Sequence, residues 1–293
     1  MSDFIFSMDI GGTNIRSGFV DEKFQLSDFE ISSVKQIFGD NTMENLCELI
    51  KHKIGTKKPK AIALGFPSAI DKSRKVLLST PNIKGLDNIN VVDYLESKLN
   101  IPTIIDRDVN FLFEYDCYVN NLHDGMVLGF YIGTGLGNVI AVNGKILYGK
   151  NGVAAELGHI PTYGMKDICT CGNEGCAELF ASGKMLAEIV EKNNYDFKDV
   201  FVKNVNDKPV QEFIDMVSIP IATEITILDP DYIIIGGGVT HMEGFPIKKL
   251  EERIVYHTRK PFPANNLSIM YSEQNQQNGV IGGAIAAFKK VNK

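Results

Sequence analysis

The chain has 293 residues, 44% of them hydrophobic and 23% charged, enough for two ordinary domains with real cores. A formal net charge of -6, with Lys57-Lys58 and Lys289-Lys290 as the basic pairs, leaves no electrostatic footprint for nucleic acid. Residues 1–10 lack the basic start and long apolar core of a secretory signal, and no stretch reaches the ~18 apolar residues that span a bilayer; the expectation is a cytoplasmic protein without membrane partners.

In chain order, residues 4–10 form an apolar run ended by Gly11-Gly12, and residues 15–20 resume it, so the chain opens as strand, glycine turn and strand. Asn41 then caps an amphipathic helix with Leu46, Leu49, Ile50 and Ile54 on one face, and residues 61–65 read as a buried strand. Residues 91–99 read as helix, 103–105 as extended and 108–119 as helix, an alternation that indicates the α/β class. The opening theme returns in residues 127–132 (strand), 133–137 (glycine turn) and 139–142 (strand). Residues 10–14 and 132–135 hold matching places in two halves, which points to two domains of related topology facing each other across a cleft. With the boundary expected within 106–125, residues 1–115 form a small α/β domain and 116–293 a large one, the closing helix at 280–293 packing back on the first. Between them come a helix after Ala177, another through 211–228, a strand over 232–235 followed by Gly236-Gly237-Gly238, and a glycine-led last helix that Gly282-Gly283 are expected to open.

The glycine turns suggest nucleotide phosphates. Lacking Cβ atoms, Gly11, Gly12, Gly133, Gly135 and Gly137 let backbone N–H groups approach phosphate oxygens, and Thr13 and Thr134 can add hydroxyl donors. Either turn alone could equally be a tight hairpin needing positive φ; four glycine clusters after strands or at a helix start are harder to explain that way. The run 144–150 imitates a Walker A loop, but Asn151 stands where Ser or Thr should meet magnesium and the segment is strand-like. No Gly-x-Gly-x-x-Gly follows a strand, which argues against a Rossmann dehydrogenase.

Cys169, Cys171 and Cys176 cluster, with Gly172 and Gly175 between them and His159 upstream, as a Cys3His set suited to tetrahedral structural zinc. Cys47 and Cys117 lie in apolar helical patterns and read as small buried hydrophobes. Closing the metal loop would carry Glu156 and Glu178 towards each other, and paired carboxylates in a cleft accept hydrogen bonds from sugar hydroxyls.

Together these residues resemble the ROK group of bacterial sugar kinases, on the two-domain actin-like, hexokinase-type (ribonuclease H-like) fold, and the resemblance covers nearly the whole chain. Residues 9–16 are similar to the family's first phosphate motif, 132–137 to the second, 236–238 to the adenosine motif, and 156–159 and 169–178 to the sugar and zinc signatures. The resemblance implies an ATP-dependent kinase acting on the primary hydroxyl of a hexose, with Asp108 as the carboxylate that takes the hydroxyl proton. Taken alone, an Asp at a helix start would more often be an N-cap. It also implies that Asn82, Glu156, His159 and Glu178 hold the sugar, that His159 also ligates zinc, that Asp9 orients magnesium-bound phosphates, and that the chain forms a homodimer. Arg107 replaces the asparagine usual before the catalytic aspartate and cannot make the same hydrogen bond, and Ser68 replaces a usual glycine. Residues 107–110, 79–82 and 156–161 look most like the allose-kinase branch, implying D-allose or a similar aldohexose; N-acetylmannosamine, glucose and β-glucosides remain the alternatives. A sugar-sensing repressor of the same family would carry a DNA-binding domain ahead of the first strand, for which the start at Phe4 leaves no room. A catalytically dead hexose-binding protein is opposed by the intact Asp9, Asp108 and glycine turns.

Overall fold

A computed structural model describes residues 3–81 and 83–292. The chain divides into two compact units: Met1–Leu122, Tyr148–Ala154 and Asn275–Lys293 form the first, His123–Leu147 and Ala155–Gln274 the second.

The first unit opens with β1 (Phe4–Ile10), β2 (Asn14–Asp21) and β3 (Leu26–Ser33), followed by α1 (Thr42–Ile54) and β4 (Ala61–Phe66). The short strands β5 (Ala69–Ile70), β6 (Val76–Ser79) and β7 (Ile89–Asn90) make a separate three-stranded antiparallel sheet, and α2 (Val91–Leu99), β8 (Thr103–Arg107) and α3 (Asp108–Val119) complete the run. The main sheet has the order β3-β2-β1-β4-β8, with β1 antiparallel to β2 and parallel to β4, and β4 parallel to β8.

Alternation along each strand assigns its side chains to opposite faces. Phe6, Met8, Ile10, Ile62 and Leu64 pack with Leu46, Cys47, Ile50 and Leu95 from α1 and α2. Ile5, Ala61 and Ala63 point the other way, onto Phe111 of α3 and Val280, Ala284 and Phe288 of the last helix. Both faces of β1 and β4 are thus covered, which is why these strands read as unbroken apolar runs.

The second unit repeats this plan. It contains β9 (Met126–Ile132), β10 (Leu136–Val142), β11 (Lys145–Ile146), α4 (Gly183–Asn193), α5 (Val200–Lys203), α6 (Lys208–Leu228), β12 (Tyr232–Gly236), α7 (Ile247–His257) and β13 (Ile269–Tyr271). Its sheet order, β11-β10-β9-β12-β13, has the same sequence of antiparallel and parallel neighbours as the first, so the echo between the two glycine turns extends to whole sheets. Leu128, Phe130, Ile132, Ile233 and Ile235 pack against Leu186 of α4, Phe213, Val217 and Ile221 of α6, and Leu250 and Ile254 of α7.

The last helix, α8 (Asn278–Val291), returns to the first unit. Gly282 and Gly283 lie inside it, not at its start: a Cβ at 282 would meet the Phe111 carbonyl oxygen at 1.8 Å and one at 283 the Phe111 ring at 2.8 Å. They permit close packing of α8 on α3, so this glycine pair has a structural explanation and leaves the set attributed to phosphate. Gly137 is paired with Tyr131 inside β10, and Gly236 with the same residue inside β12, so both lie in strands at the edges of their turns. Cys47 and Cys117 are buried, as their apolar contexts suggest. Among the described residues no helix is long and apolar enough to cross a membrane.

Candidate active site and metal centre

In the first unit, parallel pairing brings the carboxyl ends of β1, β4 and β8 side by side: Asp9 is opposite Gly65, and Gly65 opposite Asp106. The chain turns from β8 into α3 at Arg107, and Asp108 is the first residue of the helix. A Cβ at Gly65 would lie 3.3 Å from the Asp108 Cα, so a side chain there would crowd the corner. Carboxyl ends of parallel strands are where ligands of open α/β sheets bind. Asp9 is 9% exposed, and burial, reinforced by the negative charge of Asp108, pushes its carboxyl up to about 7. Arg16 opposes that rise, with Nη1 3.5 Å from Asp9 Oδ2, and its Nε donates to Gln276 just ahead of α8. Two carboxylates this close repel each other, and a cation between them would relieve that repulsion.

Arg107 Nη1 donates to the Ala154 carbonyl at 3.5 Å. Ser68, in the glycine position, shares a 2.8 Å hydrogen bond with Thr80, both hydroxyls buried. Asn82, expected at the sugar, lies outside the described residues.

The first glycine turn closes through Gly11 N–H donating to Asn14 O (2.9 Å), and Val34 N–H donates to Thr13 O. In the second unit Gly133 N–H donates to Gly135 O (3.0 Å), so the amides of Gly11 and Gly133 are engaged in shaping their own turns. The start of α4 grips the second turn, Gly183 N–H donating to Gly133 O (2.7 Å) and Lys184 N–H to Thr134 O (3.2 Å). Behind it lies the 236–238 turn: Val239 N–H donates to Ile132 O, and Gly237 has φ +98° with its missing Cβ 2.5 Å from Ile132 backbone atoms. The fold therefore requires Gly237. Gly133 and Gly238 differ, because each has an ordinary φ and open space where a Cβ would go. Neither backbone strain nor packing explains those two glycines, which fits a ligand lying against them.

Glu178 stands where turn and metal loop meet. Its Oε2 accepts from Leu136 N–H at 3.0 Å, a Cβ on Gly135 would lie 2.2 Å from the same oxygen, and Gly158, two residues after Glu156, has its Cβ position 3.3 Å from the Glu178 Cβ. The metal loop thus does bring Glu178 against the short 3-10 turn Leu157–His159 that follows Glu156.

His159, Cys169, Cys171 and Cys176 place their ligand atoms within 4.8 Å of one another, with Cys169 Sγ 3.6 Å from His159 Nδ1 and Cys171 Sγ 3.5 Å from Cys176 Sγ. A tetrahedral zinc with bonds of about 2.3 Å to sulfur and 2.0 Å to nitrogen separates its ligands by about 3.5–3.8 Å, so the donor set fits that ion. The loop's backbone holds it so, with Cys169 N–H donating to Asn173 O, Gly172 N–H to Cys169 O and Ala177 N–H to Ile160 O. With Nδ1 turned to the thiols, His159 Nε2 is left on the side of Glu156, 3.8 Å from its Oε2.

Reading the sequence missed Arg16 and Gln276 around Asp9, and a buried group around Asp106: Arg74, Tyr148 and Asn110. The order Asp-x-Asp-x-Asn at 106–110 was visible; that Arg74 and Tyr148 join it was not, because the contacts span more than thirty positions.

Comparison with known proteins follows the same lines. The model described as ROK family matches residues 5–290. A glucokinase of Halalkalibacterium halodurans is 29% identical over 97% of this chain and 94% of its own, and an N-acetylmannosamine kinase of Salmonella typhi is 25% identical over 96% and 97%. The crystal structure of a ROK family glucokinase from Streptomyces griseus in complex with glucose and AMPPNP superposes with a TM-score of 0.79 at 22% identity, covering 96% of this chain and 98% of that one.

Proposed function

Because this chain belongs to the ROK family and has its actin-like, hexokinase-type fold, we propose that it is an ATP-dependent kinase of the primary hydroxyl of a hexose. The observation that carries the proposal is the pairing of Asp108, at the β8–α3 corner, with the buried Asp9. Phosphoryl transfer needs little covalent chemistry from a protein; it needs in-line positioning, charge neutralisation and a base for the attacking hydroxyl. Asp108 takes the hydroxyl proton as the sugar oxygen attacks the γ-phosphorus and ADP leaves with the displaced electron pair. Asp9 lies where it can hold the magnesium that neutralises the phosphates, and its raised pKa is the expected behaviour of a carboxyl built to meet a cation. The turns at Gly11, Gly12 and Thr13 and at Gly133, Thr134 and Gly135 meet the phosphates, and that at Gly236, Gly237 and Gly238 the adenosine. Open space at Gly133 and Gly238 supports this. Glu156, His159 and Glu178, with Asn82 and Arg107, contact the sugar. The zinc is structural: four protein donors leave it no open position, and it stiffens the loop that carries Glu178.

D-allose or a similar aldohexose is the proposed substrate, on the residue pattern at 107–110; glucose and N-acetylmannosamine are supported by what the two relatives are named for. A coupled ADP-release assay over glucose, allose, mannose, N-acetylglucosamine, N-acetylmannosamine and a β-glucoside decides among them. Turnover of allose with kcat/KM at least tenfold above the others is the expected result; a preference for N-acetylmannosamine moves the assignment there, and no turnover of any sugar contradicts the kinase reading. The accompanying proposal of a homodimer is tested by sedimentation of the pure protein.

A further inference from the structure

We infer that Asp106 and Asn110 form a side-chain bracket across the β8–α3 corner that positions Asp108, an inference that rests on Asp108 being the base of the proposed reaction. Asp106 is 3% exposed and Asn110 2%, and their side chains meet over the intervening residues, Asn110 Nδ2 donating to Asp106 Oδ1 at 2.6 Å. Asp108 lies midway between them in sequence. Arg107, the N-cap, has extended backbone (ψ 142°) and makes no side-chain capping bond, so the turn from strand into helix is not closed by the side chain at its N-cap. Asp106 supplies the restraint, because its Oδ1 also accepts the Arg107 backbone N–H at 2.8 Å. One oxygen thus ties the peptide before Asp108 to the side chain two residues after it.

The bracket is itself held. Arg74, from the turn between β5 and β6, donates Nη2 to Asp106 Oδ1 at 2.6 Å, while its Nη1 donates to the carbonyls of Ile70 and Gly152. Tyr148 donates its hydroxyl to Asp106 Oδ2 at 2.6 Å and presents its ring to the Arg74 guanidinium, 4.1 Å from the centroid. Burial and the adjacent Asp106 charge raise the Tyr148 pKa, so the phenol remains a donor throughout the working range of pH. Arg74, Tyr148, Asn110 and the Arg107 amide all point their donors at the buried Asp106 carboxyl. A group this fully bonded has its orientation determined, which is what a residue that must hold another within about 0.5 Å requires.

Removing Asp106 would leave a buried guanidinium unpaired and threaten the fold, so the test uses Asn110, which the other three donors can lose without stranding a charge. Asn110→Ala should lower kcat about tenfold while the KM values for sugar and ATP stay within threefold, with melting temperature within a few degrees of wild type. Asn110→Asp places a second carboxyl against Asp106. At pH 8 the two repel and kcat falls; towards pH 6 they share a proton, the new acid donates as the amide did, and kcat relative to wild type recovers at least threefold. A kcat within twofold of wild type for Asn110→Ala, or a ratio for Asn110→Asp that does not change with pH, overturns the bracket. Asp108→Asn assayed alongside separates the two claims: if it is inactive while Asn110→Ala is normal, only the bracket falls, and if it turns over at the wild-type rate, the base assignment falls.

Discussion

Replacing Glu224 with glutamine tests the core of the second unit through its pH dependence. Glu224 sits on α6, 8% exposed, and its Oε2 accepts from Asn138 Nδ2 of β10 at 2.7 Å. Burial pushes its carboxyl up to about 7 from the ordinary 4.5, the Asn138 bond opposing only part of the rise. The folded state therefore holds a proton that the unfolded chain releases above pH 4.5, so stability from this group is full at acid pH and falls as pH climbs from 4.5 to 7. At about 1.4 kcal/mol per pKa unit, the loss reaches about 0.8 kcal/mol at pH 5 and about 3 kcal/mol at pH 8. Glutamine cannot ionise; any cost of its extra N–H is independent of pH. The difference in unfolding free energy between Glu224→Gln and wild type, from urea melts across this range, should thus move by about 2.5 kcal/mol in favour of the variant between pH 5 and pH 8. Two pH curves that run parallel to within about 0.5 kcal/mol would mean the carboxyl is not desolvated in the folded protein, and the packing of α6 beneath β10 would be wrong.

Gly135→Ala should act on the sugar although the residue belongs to a turn proposed to meet phosphate, because the new methyl displaces the Glu178 carboxylate from Leu136 N–H; sugar kcat/KM should fall tenfold to a hundredfold with a smaller rise in ATP KM, and the reverse pattern would refute that link. Protein purified without added metal should carry about one zinc per chain by elemental analysis, and chelation or Cys169→Ser should lower the melting temperature and raise sugar KM; full stability and activity without metal would refute the structural role. Arg107→Asn releases the Ala154 carbonyl and should change the ranking of sugars more than the rate on the best one; an unchanged ranking removes Arg107 from specificity.

The two hairpins were legible because a glycine turn between two apolar runs is a local signal, and both appear with closing hydrogen bonds inside the turn. The helices at 91–99 and 108–119 were legible for the same reason: Asn90 caps the first locally, and the second follows a buried strand without a break. The β5–β7 sheet was not, since strands of two to four residues leave too little alternation to stand out. Gly282 and Gly283 misled because a glycine needed for helix packing and one needed for a phosphate look identical until the neighbour, here Phe111, is known. At the site, the cluster of His159, Cys169, Cys171 and Cys176 could be read from spacing and the role proposed for Asp108 comes from resemblance, whereas Arg74 and Tyr148 could not be read at all: their partner Asp106 is reached only through tertiary contacts.

The most direct measurement is steady-state turnover by Asp108→Asn, paired with calorimetric binding of the best sugar. If a single carboxylate at this corner accepts the hydroxyl proton, kcat falls by at least a hundredfold while the sugar still binds within about threefold of the wild-type affinity. Wild-type turnover by that variant would contradict the account.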